Sequence, residues 1–340
     1  MPFSITDSWR FLSKVTLKRV WNAGLVLGSY FYSKAIRHNH HLGFPISISI
    51  EPTTSCNLRC PECPSGLRSF TRPTGMLEKD LFEKIIDEQK DTLLYLILYF
   101  QGEPYLNKNF FDYISFASSR RIYTATSTNA HYLDEKNSIQ TVKSGLDRLI
   151  ISIDGLTQES YETYRIGGQV NKVISGTKNL LAARKILKSQ TPYVIWQFIV
   201  FKHNEHEIEA VKRLGKELGV DKVAIKTAQV YDYENGSDLI PESGDYARYA
   251  KGADGKYQLK NEMADHCWRM WSSPVITWDG KVIPCCFDKD ADHALGNVQD
   301  QSFATVWKSS AYNLFRASIL RSRSEVEICK NCTEGTKVWA

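Results

Sequence analysis

The stretch Glu51-Pro-Thr-Thr-Ser-Cys56-Asn-Leu-Arg-Cys60-Pro-Glu-Cys63-Pro-Ser-Gly66 decides how the rest of this chain is read. Three cysteines, separated by three and then two residues, follow the alternating apolar run Ile46-Ser-Ile-Ser-Ile50. Three thiolates make an incomplete site, because a tetrahedral structural zinc takes four ligands and a simple four-iron cluster takes four cysteines. The triplet therefore points to a cubane with one iron left open for something other than protein, or to a zinc loop that borrows a distant fourth ligand.

Outward from that loop, the totals are those of an ordinary globular protein. The 340 residues are 42% apolar and 24% charged, enough for one large domain and a small one. The net charge of +5 comes without Lys/Arg runs; it argues weakly for an anionic ligand and gives no reason to expect nucleic acid. The 8 cysteines are clustered, with Cys285-Cys286 adjacent and Cys329-Lys-Asn-Cys332 close behind. In a chain of this size such clustering suggests metal in a reducing, cytoplasmic compartment rather than a disulfide scaffold. No apolar run reaches about 18 residues, so no membrane-spanning helix is expected. Gly24-Leu-Val-Leu-Gly-Ser-Tyr-Phe31 lies too far in, and is too short, for a signal core.

Residues 1–44 read as a mostly helical arm in which Arg10, Lys14, Lys18 and Arg19 alternate with Trp9, Phe11, Leu12, Val15, Val20 and Trp21. The apolar positions spread widely around a helix, so no clean stripe results. The plain reading is a segment packed on the outside of the main domain; the sharper one is a basic-aromatic arm lying on a membrane surface or gripping a partner.

From residue 45 to 230 strands and helices alternate, as in a parallel α/β sheet. Strands are expected at Ile46–Ile50, Leu93–Phe100, Ile122–Ser127, Leu149–Ile153, Val194–Val200 and Val223–Thr227, with helices between them. Gly219 can stop the last helix, and Asn204 with Glu207 resembles a capping pair at its start. Six such units make a doubly wound sheet or a partial barrel, and in both, ligands gather at the carboxyl ends of the strands, where the cysteine loop lies. Residues 231–264 are rich in turn residues with little periodicity, and read as a linker or lid.

A small second domain is expected over 265–335. Asp279-Gly280 between two apolar runs is a hairpin signal of the type I′ kind, able to fold Cys285 back beside Cys267. Cys267, Cys285, Cys329 and Cys332 make four thiolates, the right number for a closed zinc or iron–sulfur site, and their spacing does not separate the two metals. Cys286 is left over and is expected to be a buried thiol beside that site.

Taken together, these cysteines and several strand-end segments resemble the radical S-adenosylmethionine (SAM) superfamily with a C-terminal SPASM/twitch extension. Gln101-Gly102-Glu103-Pro104 is similar to that family's Gly-Gly-Glu-Pro, with Gln101 in place of the first glycine. Ser127-Thr-Asn129-Ala130 resembles its Thr-Asn-Gly segment, and Ser152-Ile-Asp154-Gly155 its Ser-x-Asp-Gly segment near the SAM ribose. Arg165 stands where relatives direct an arginine to the SAM carboxylate, while Glu62 replaces the usual aromatic before the third cysteine. The C-terminal pattern adds Gly280, Gly296-Asn-Val298 and a Trp307-bearing helix before the terminal pair. No cysteine follows Cys332, which is similar to the shorter twitch form.

The resemblance implies an α/β fold: a partial (β/α)6 TIM-like barrel with a small cysteine-rich C-terminal domain. It implies two [4Fe–4S] clusters, one on Cys56, Cys60 and Cys63 that binds SAM, and an auxiliary one on Cys267, Cys285, Cys329 and Cys332. SAM contacts are implied for Gln101, Gly102, Glu103, Ser127, Asn129, Ser152, Asp154 and Arg165, with Gln197 and Lys226 as further pocket candidates. The implied activity is cleavage of SAM to a 5′-deoxyadenosyl radical that abstracts hydrogen, with the auxiliary cluster accepting an electron in a dehydrogenase-type oxidation of a small molecule, sugar or lipid precursor. The alternatives are a SPASM-type peptide maturase, disfavoured by an arm too short for a peptide-docking domain, and a non-catalytic metal-binding adaptor. Expected partners are a small-molecule or peptide substrate, an electron donor such as flavodoxin or ferredoxin, and a membrane surface touching residues 1–44.

Overall fold

The computed structural model describes residues 5–338, so the first four residues of the N-terminal arm lie outside the described residues. Helix α1 (Ile5–Leu12) leads to α2 (Leu17–Ile36), whose N-cap Thr16 accepts a hydrogen bond from Arg19 N and whose C-cap Arg37 is left-handed. Strand β1 (Ser47–Ile50) precedes the cysteine loop, the short turn α3 (Pro64–Leu67) and α4 (Lys79–Gln89). Then come β2 (Tyr95–Ile97), α5 (Phe110–Ser119), β3 (Tyr123–Thr128), α6 (Glu135–Lys143) and β4 (Arg148–Ser152). The series continues with α7 (Gln158–Tyr164), α8 (Val170–Ile186), β5 (Tyr193–Val200), α9 (Ile208–Leu218) and β6 (Lys222–Thr227). The expected six strands are therefore present, with helices between successive strands and none between β6 and the next strand, and the pairings β1–β2, β2–β3, β4–β5 and β5–β6 are parallel.

The chain forms two compact units, and β3 runs from one into the other, at Ala125 and Thr126. The first unit comprises residues 1–55, 70–125 and 263–340. Its strand order is β11-β10-β9-β1-β2-β3, in which β9 (Val275–Ile276), β10 (Lys281–Ile283) and β11 (Gly296–Asn297) come from the C-terminal segment. β9 pairs in parallel with β1, Ser49 opposite Val275 and Ile50 opposite Ile276. The C-terminal hairpin thus extends the sheet of the first strand. The carboxylate of Glu51, fully buried, secures this junction: Arg72 grips it with two hydrogen bonds of 2.6 and 2.8 Å, and Trp278 N donates to it at 3.2 Å. Arg72 also donates to Lys289 O and lies over the Phe70 ring.

The β9–β10 turn is not type I′. Gly280 alone has positive φ, at +84°, and its N–H donates to Thr277 O, so a tight turn over Thr277–Gly280 ends in a glycine bulge. The remaining helices of this unit, α10 (Arg269–Ser272), α11 (Phe303–Trp307) and α12 (Ser310–Arg321), carry the buried Trp271, Trp307 and Tyr312.

The N-terminal arm docks on this unit through polar groups. Arg19 is buried and donates to the carbonyls of Lys14 at 2.6 Å, Lys90 at 2.7 Å and Arg120 at 3.0 Å, and to that of Arg121. The hydroxyl of Tyr123 donates to the buried Asp7, and Asn22 exchanges two hydrogen bonds with the Phe44 backbone.

The second unit comprises residues 56–69 and 126–262. Along β5 burial alternates: Val194, Trp196, Phe198 and Val200 are buried, and Trp196 Nε1 donates to Thr177 of α8. The half-buried positions between them include Gln197, and Lys226 on β6 is exposed. α9 ends at Gly219 with φ +83°, as its sequence predicts. The expected Asn204–Glu207 capping pair does not form. Asn204 instead accepts from Phe201 N and donates to Asp154 O and Ile199 O, and Glu207 accepts from Leu156 N and Ser160 Oγ. Tertiary partners outcompete the local cap.

Strand β2 is shorter than the apolar run Leu93–Phe100 predicts: Tyr95–Ile97 form it, Leu98 N still donates to Ala125 O of β3, and Tyr99 and Phe100 lead into the next loop. The segment read as a linker or lid, 231–264, contains the antiparallel hairpin β7 (Tyr249–Lys251) and β8 (Tyr257–Leu259). Ile240 and Tyr249 are buried with Leu58, Cys60, Tyr164 and Phe201 in one apolar cluster of this unit.

Two measurements test the packing of the arm and the residues after it. Arg19→Ala should lower unfolding free energy by about 2–4 kcal/mol in denaturant titration, since several buried carbonyls lose a charged donor. His41 is the second: burial, with Arg316 nearby, pulls its imidazole down from 6.5 to about 3. The unfolded chain then takes up a proton that the folded one refuses, so stability present above pH 6.5 is lost as pH falls toward 3. His41→Leu should flatten the acid limb of the stability–pH curve by up to about 1.4 kcal/mol per pH unit.

Candidate functional site

In the second unit the cysteine loop closes on itself. Leu58 N lies 3.4 Å from Cys56 Sγ, Cys63 N donates to Cys60 O, and Leu67 N donates to Cys63 O at the start of α3. Gly66 is required here, because a Cβ would sit 2.5 Å from Cys60 N. Cys60 is buried, while Cys56 and Cys63 are half-buried. Burial pushes the Cys60 thiol up, against the pull of Arg165, whose Nη1 lies 3.7 Å from Cys60 Sγ.

Arg165 is held by Asp154. The fully buried carboxylate takes Nε at 2.6 Å and Nη2 at 2.5 Å on one oxygen, and Ile199 N at 2.7 Å on the other. Two of the sequence-predicted residues, Asp154 after β4 and Arg165 after α7, thus meet beside Cys60. Asn129, at the end of β3, donates to Asn57 of the loop at 2.8 Å, so a third is joined to it. The alanine replacing the family's glycine, Ala130, adopts φ +64° and donates its N–H to Thr128 Oγ1. Ser152 is buried at the end of β4, and Ser127 is half-buried. Glu62 accepts from Tyr231 N at 2.8 Å, and so ties the 231–262 segment to the cysteine loop.

The remaining predicted SAM contacts belong to the first unit. Gly102 has φ +74°, and a Cβ there would lie 2.3 Å from Thr53 O and 2.7 Å from Ser55 O. Glu103 N donates to Ser55 O at 2.8 Å, the residue before Cys56. Gln101 and Glu103 are both buried. The glycine is needed for this close backbone approach, which its sequence context alone does not reveal.

The C-terminal cysteines are gathered around an arginine that sequence reasoning missed. Arg323 is buried; its Nη2 donates to Cys332 Sγ at 3.1 Å and to Glu334 O at 2.7 Å, and its Nη1 donates to His266 O. Gly335 lies so close to Cys267 that a Cβ would be 2.4 Å from its Sγ. Burial pushes Cys332 up to about 11 and raises Cys285 and Cys329. Cys286 is half-buried rather than buried, packed against Val275, Ile283 and Ala291. Nothing in the run Arg321-Ser-Arg323-Ser marks one arginine as a core residue.

Among the described residues no cysteine forms a disulfide, and no three Cys, His, Asp or Glu side chains converge on one metal-ion position. A four-iron cluster takes one thiolate per iron. Buried thiols are poorly ionised until a cation compensates them, and both sets combine soft sulfur donors, burial and one guanidinium. Such donor sets fit iron–sulfur clusters.

The close approach at Gly102 gives a stability test. Gly102→Ala combines positive φ with a backbone clash, whereas Gly167, at φ +80°, faces open space. Gly167→Ala should cost about 1–2 kcal/mol in thermal or denaturant unfolding, and Gly102→Ala clearly more.

The family model described as the radical SAM superfamily matches residues 50–224, and that of the SPASM iron–sulfur cluster-binding domain matches residues 267–333. The chain is 26% identical over 313 residues to the PqqA peptide cyclase of Gluconobacter oxydans, covering 87% of this chain and 84% of that protein. It is also 26% identical over 299 residues to the tungsten-containing aldehyde ferredoxin oxidoreductase cofactor-modifying protein of Pyrococcus furiosus, covering 78% and 82%. Among solved structures, Streptococcus suis SuiB bound to S-adenosylmethionine shares the fold, with a TM-score of 0.64 at 16% identity over 90% of this chain and 76% of that one. With the superfamily match spanning just over half of its length, from the last residue of β1 into β6, this chain belongs to the radical SAM superfamily, whose cofactors are S-adenosylmethionine and [4Fe–4S] clusters.

Proposed function

We propose that this enzyme modifies a peptide by hydrogen abstraction. The observation that carries the reading is the likeness to a peptide cyclase across 87% of this chain. Dehydrogenation of a small molecule, the first expectation from sequence, has less support among the relatives.

In this reading Cys56, Cys60 and Cys63 hold one [4Fe–4S] cluster, and Cys267, Cys285, Cys329 and Cys332 hold a second. When bound, the first cluster and SAM supply a 5′-deoxyadenosyl radical that takes a hydrogen atom from substrate. The chain's own groups bind and orient. Gln101, Gly102 and Glu103 would present backbone to SAM, and Ser127, Asn129, Ser152 and Asp154 would line its nucleoside side. Arg165, fixed by Asp154, keeps positive charge beside Cys60 and would hold the SAM carboxylate. The apolar cluster around Leu58, Phe201, Ile240 and Tyr249 keeps water from the thiolate loop. An electron donor of the flavodoxin or ferredoxin type completes the system, in keeping with a cytoplasmic setting and eight thiols outside disulfides.

Anaerobic reconstitution should give roughly eight irons per chain, as two four-iron clusters require. Cys56→Ala, Cys60→Ala and Cys63→Ala together should remove about half of that iron and abolish 5′-deoxyadenosine formation from SAM and dithionite. Cys329→Ala with Cys332→Ala should spare uncoupled SAM cleavage while stopping product. Substrate class is read with a low-molecular-mass extract of the source cells, which should stimulate 5′-deoxyadenosine release. Loss of that stimulation after proteinase digestion supports a peptide; stimulation that survives digestion returns the enzyme to small-molecule oxidation.

A further inference from the structure

The N-terminal arm has its polarity inverted. The side of α2 that faces the protein carries Arg19, Asn22, Val26, Ser29, Tyr30 and Ser33, all buried and mostly polar. On a helix of 3.6 residues per turn the opposite side is Leu17, Val20, Trp21, Phe31 and Tyr32. Leu17 is 89% exposed and Trp21 is 72% exposed; on α1, Trp9 is 68% exposed. Gly24 and Gly28 continue this outer face, and a Cβ on either would meet nothing within 4 Å. A helix that buries polar groups inward and leaves aromatic and aliphatic groups in water has its second partner elsewhere.

Charge identifies that partner. Residues 8–50 contain no Asp or Glu; of their six cations Lys14 and Arg19 are buried, Lys18 and Arg37 pair with Asp91 and Asp265 yet keep 73% and 67% of their side chains exposed, and Lys34 is exposed. The arm's single carboxylate, Asp7, is buried against Tyr123. Lys18 and Lys34 are exposed on opposite flanks of the apolar face of α2. Apolar centre, cationic flanks and exposed tryptophans are what an in-plane helix needs at a phospholipid headgroup layer. No helix among the described residues is long and apolar enough to cross a membrane, so the arm suits lying on a bilayer. A weak hydrophobic periodicity in the sequence is explained by the same arrangement, since the inward stripe contributes polar rather than apolar residues.

We propose that α1 and the outer face of α2 dock the enzyme on the surface of an anionic phospholipid bilayer. Vesicle flotation of the full-length protein tests this, with phosphatidylcholine vesicles carrying about a quarter phosphatidylglycerol compared with phosphatidylcholine alone. Wild type should float with the anionic vesicles, and recovery should fall at about 0.5 M salt, where exposed charges are screened. Leu17→Glu with Trp21→Glu should weaken binding roughly tenfold or more at an unchanged thermal midpoint, because both side chains are in water in the free protein. Lys18→Gln with Lys34→Gln should weaken it severalfold without touching the buried stripe. Absence of wild-type flotation, or flotation of both variants equal to that of wild type, overturns the proposal. A wild-type dimer that dissociates in the Leu17→Glu, Trp21→Glu variant, with no vesicle recovery, assigns the face to a second copy and overturns it as well.

Discussion

A buried thiol ionises only where positive charge is at hand, and both cysteine sets meet that requirement with a guanidinium. Arg165 stands beside Cys60 and Arg323 beside Cys332. Neither arginine is free to turn away. Asp154 holds Arg165 through two of its nitrogens and is held in turn by Ile199 N. Arg323 spans His266 O and Glu334 O, on the chain flanking Cys267 and Cys332. A cluster held there would supply the larger share of the compensating charge. The arginines keep the sulfur sites electropositive and their loops in register. Much of each unit's local architecture, from the carboxyl end of β4 to the last turn before Gly335, can be understood as support for those two contacts.

Most of the barrel was legible because its signals are local and redundant. Buried strands such as Leu149–Ile153 are mostly apolar runs, Gly219 stops α9 where it stands, and the cysteine spacing survives without any three-dimensional information. What stayed hidden depends on distant partners. Asn204 looks like a cap and serves as a bracket for Asp154 and Ile199, since those partners sit deeper than the helix end. Asp279-Gly280 reads as a two-residue turn, but only the glycine takes positive φ. Residues 231–262 carry their core contributors one at a time, Ile240 and Tyr249 between turn residues, so no periodicity announces them. Arg19, Arg72 and Arg323 read as surface charges and are core residues, because each finds a carboxylate or a set of carbonyls that the sequence does not pair with it.

The departures from the family pattern have physical consequences of their own. Where an aromatic is usual, Glu62 captures Tyr231 N, so the cysteine loop and the 231–262 segment share a polar tie. Ala130 accepts a left-handed backbone that glycine would adopt without strain, yet its N–H is satisfied by Thr128 Oγ1, which fixes the turn that carries Asn129. Substitutions of this kind shift a site from backbone freedom toward side-chain anchoring.

The parallel pairing of β1 with β9 sets the order in which this protein can be completed on the ribosome. Ser49 must wait for Val275, so one edge of β1 stays open while more than two hundred intervening residues are made. At typical elongation rates that is on the order of ten seconds or longer. Throughout this interval the nascent chain displays an apolar strand edge and a loop of three thiols, both prone to wrong partners. A sheet completed so late is exposed to mispairing for longer than one whose strands are neighbours in sequence.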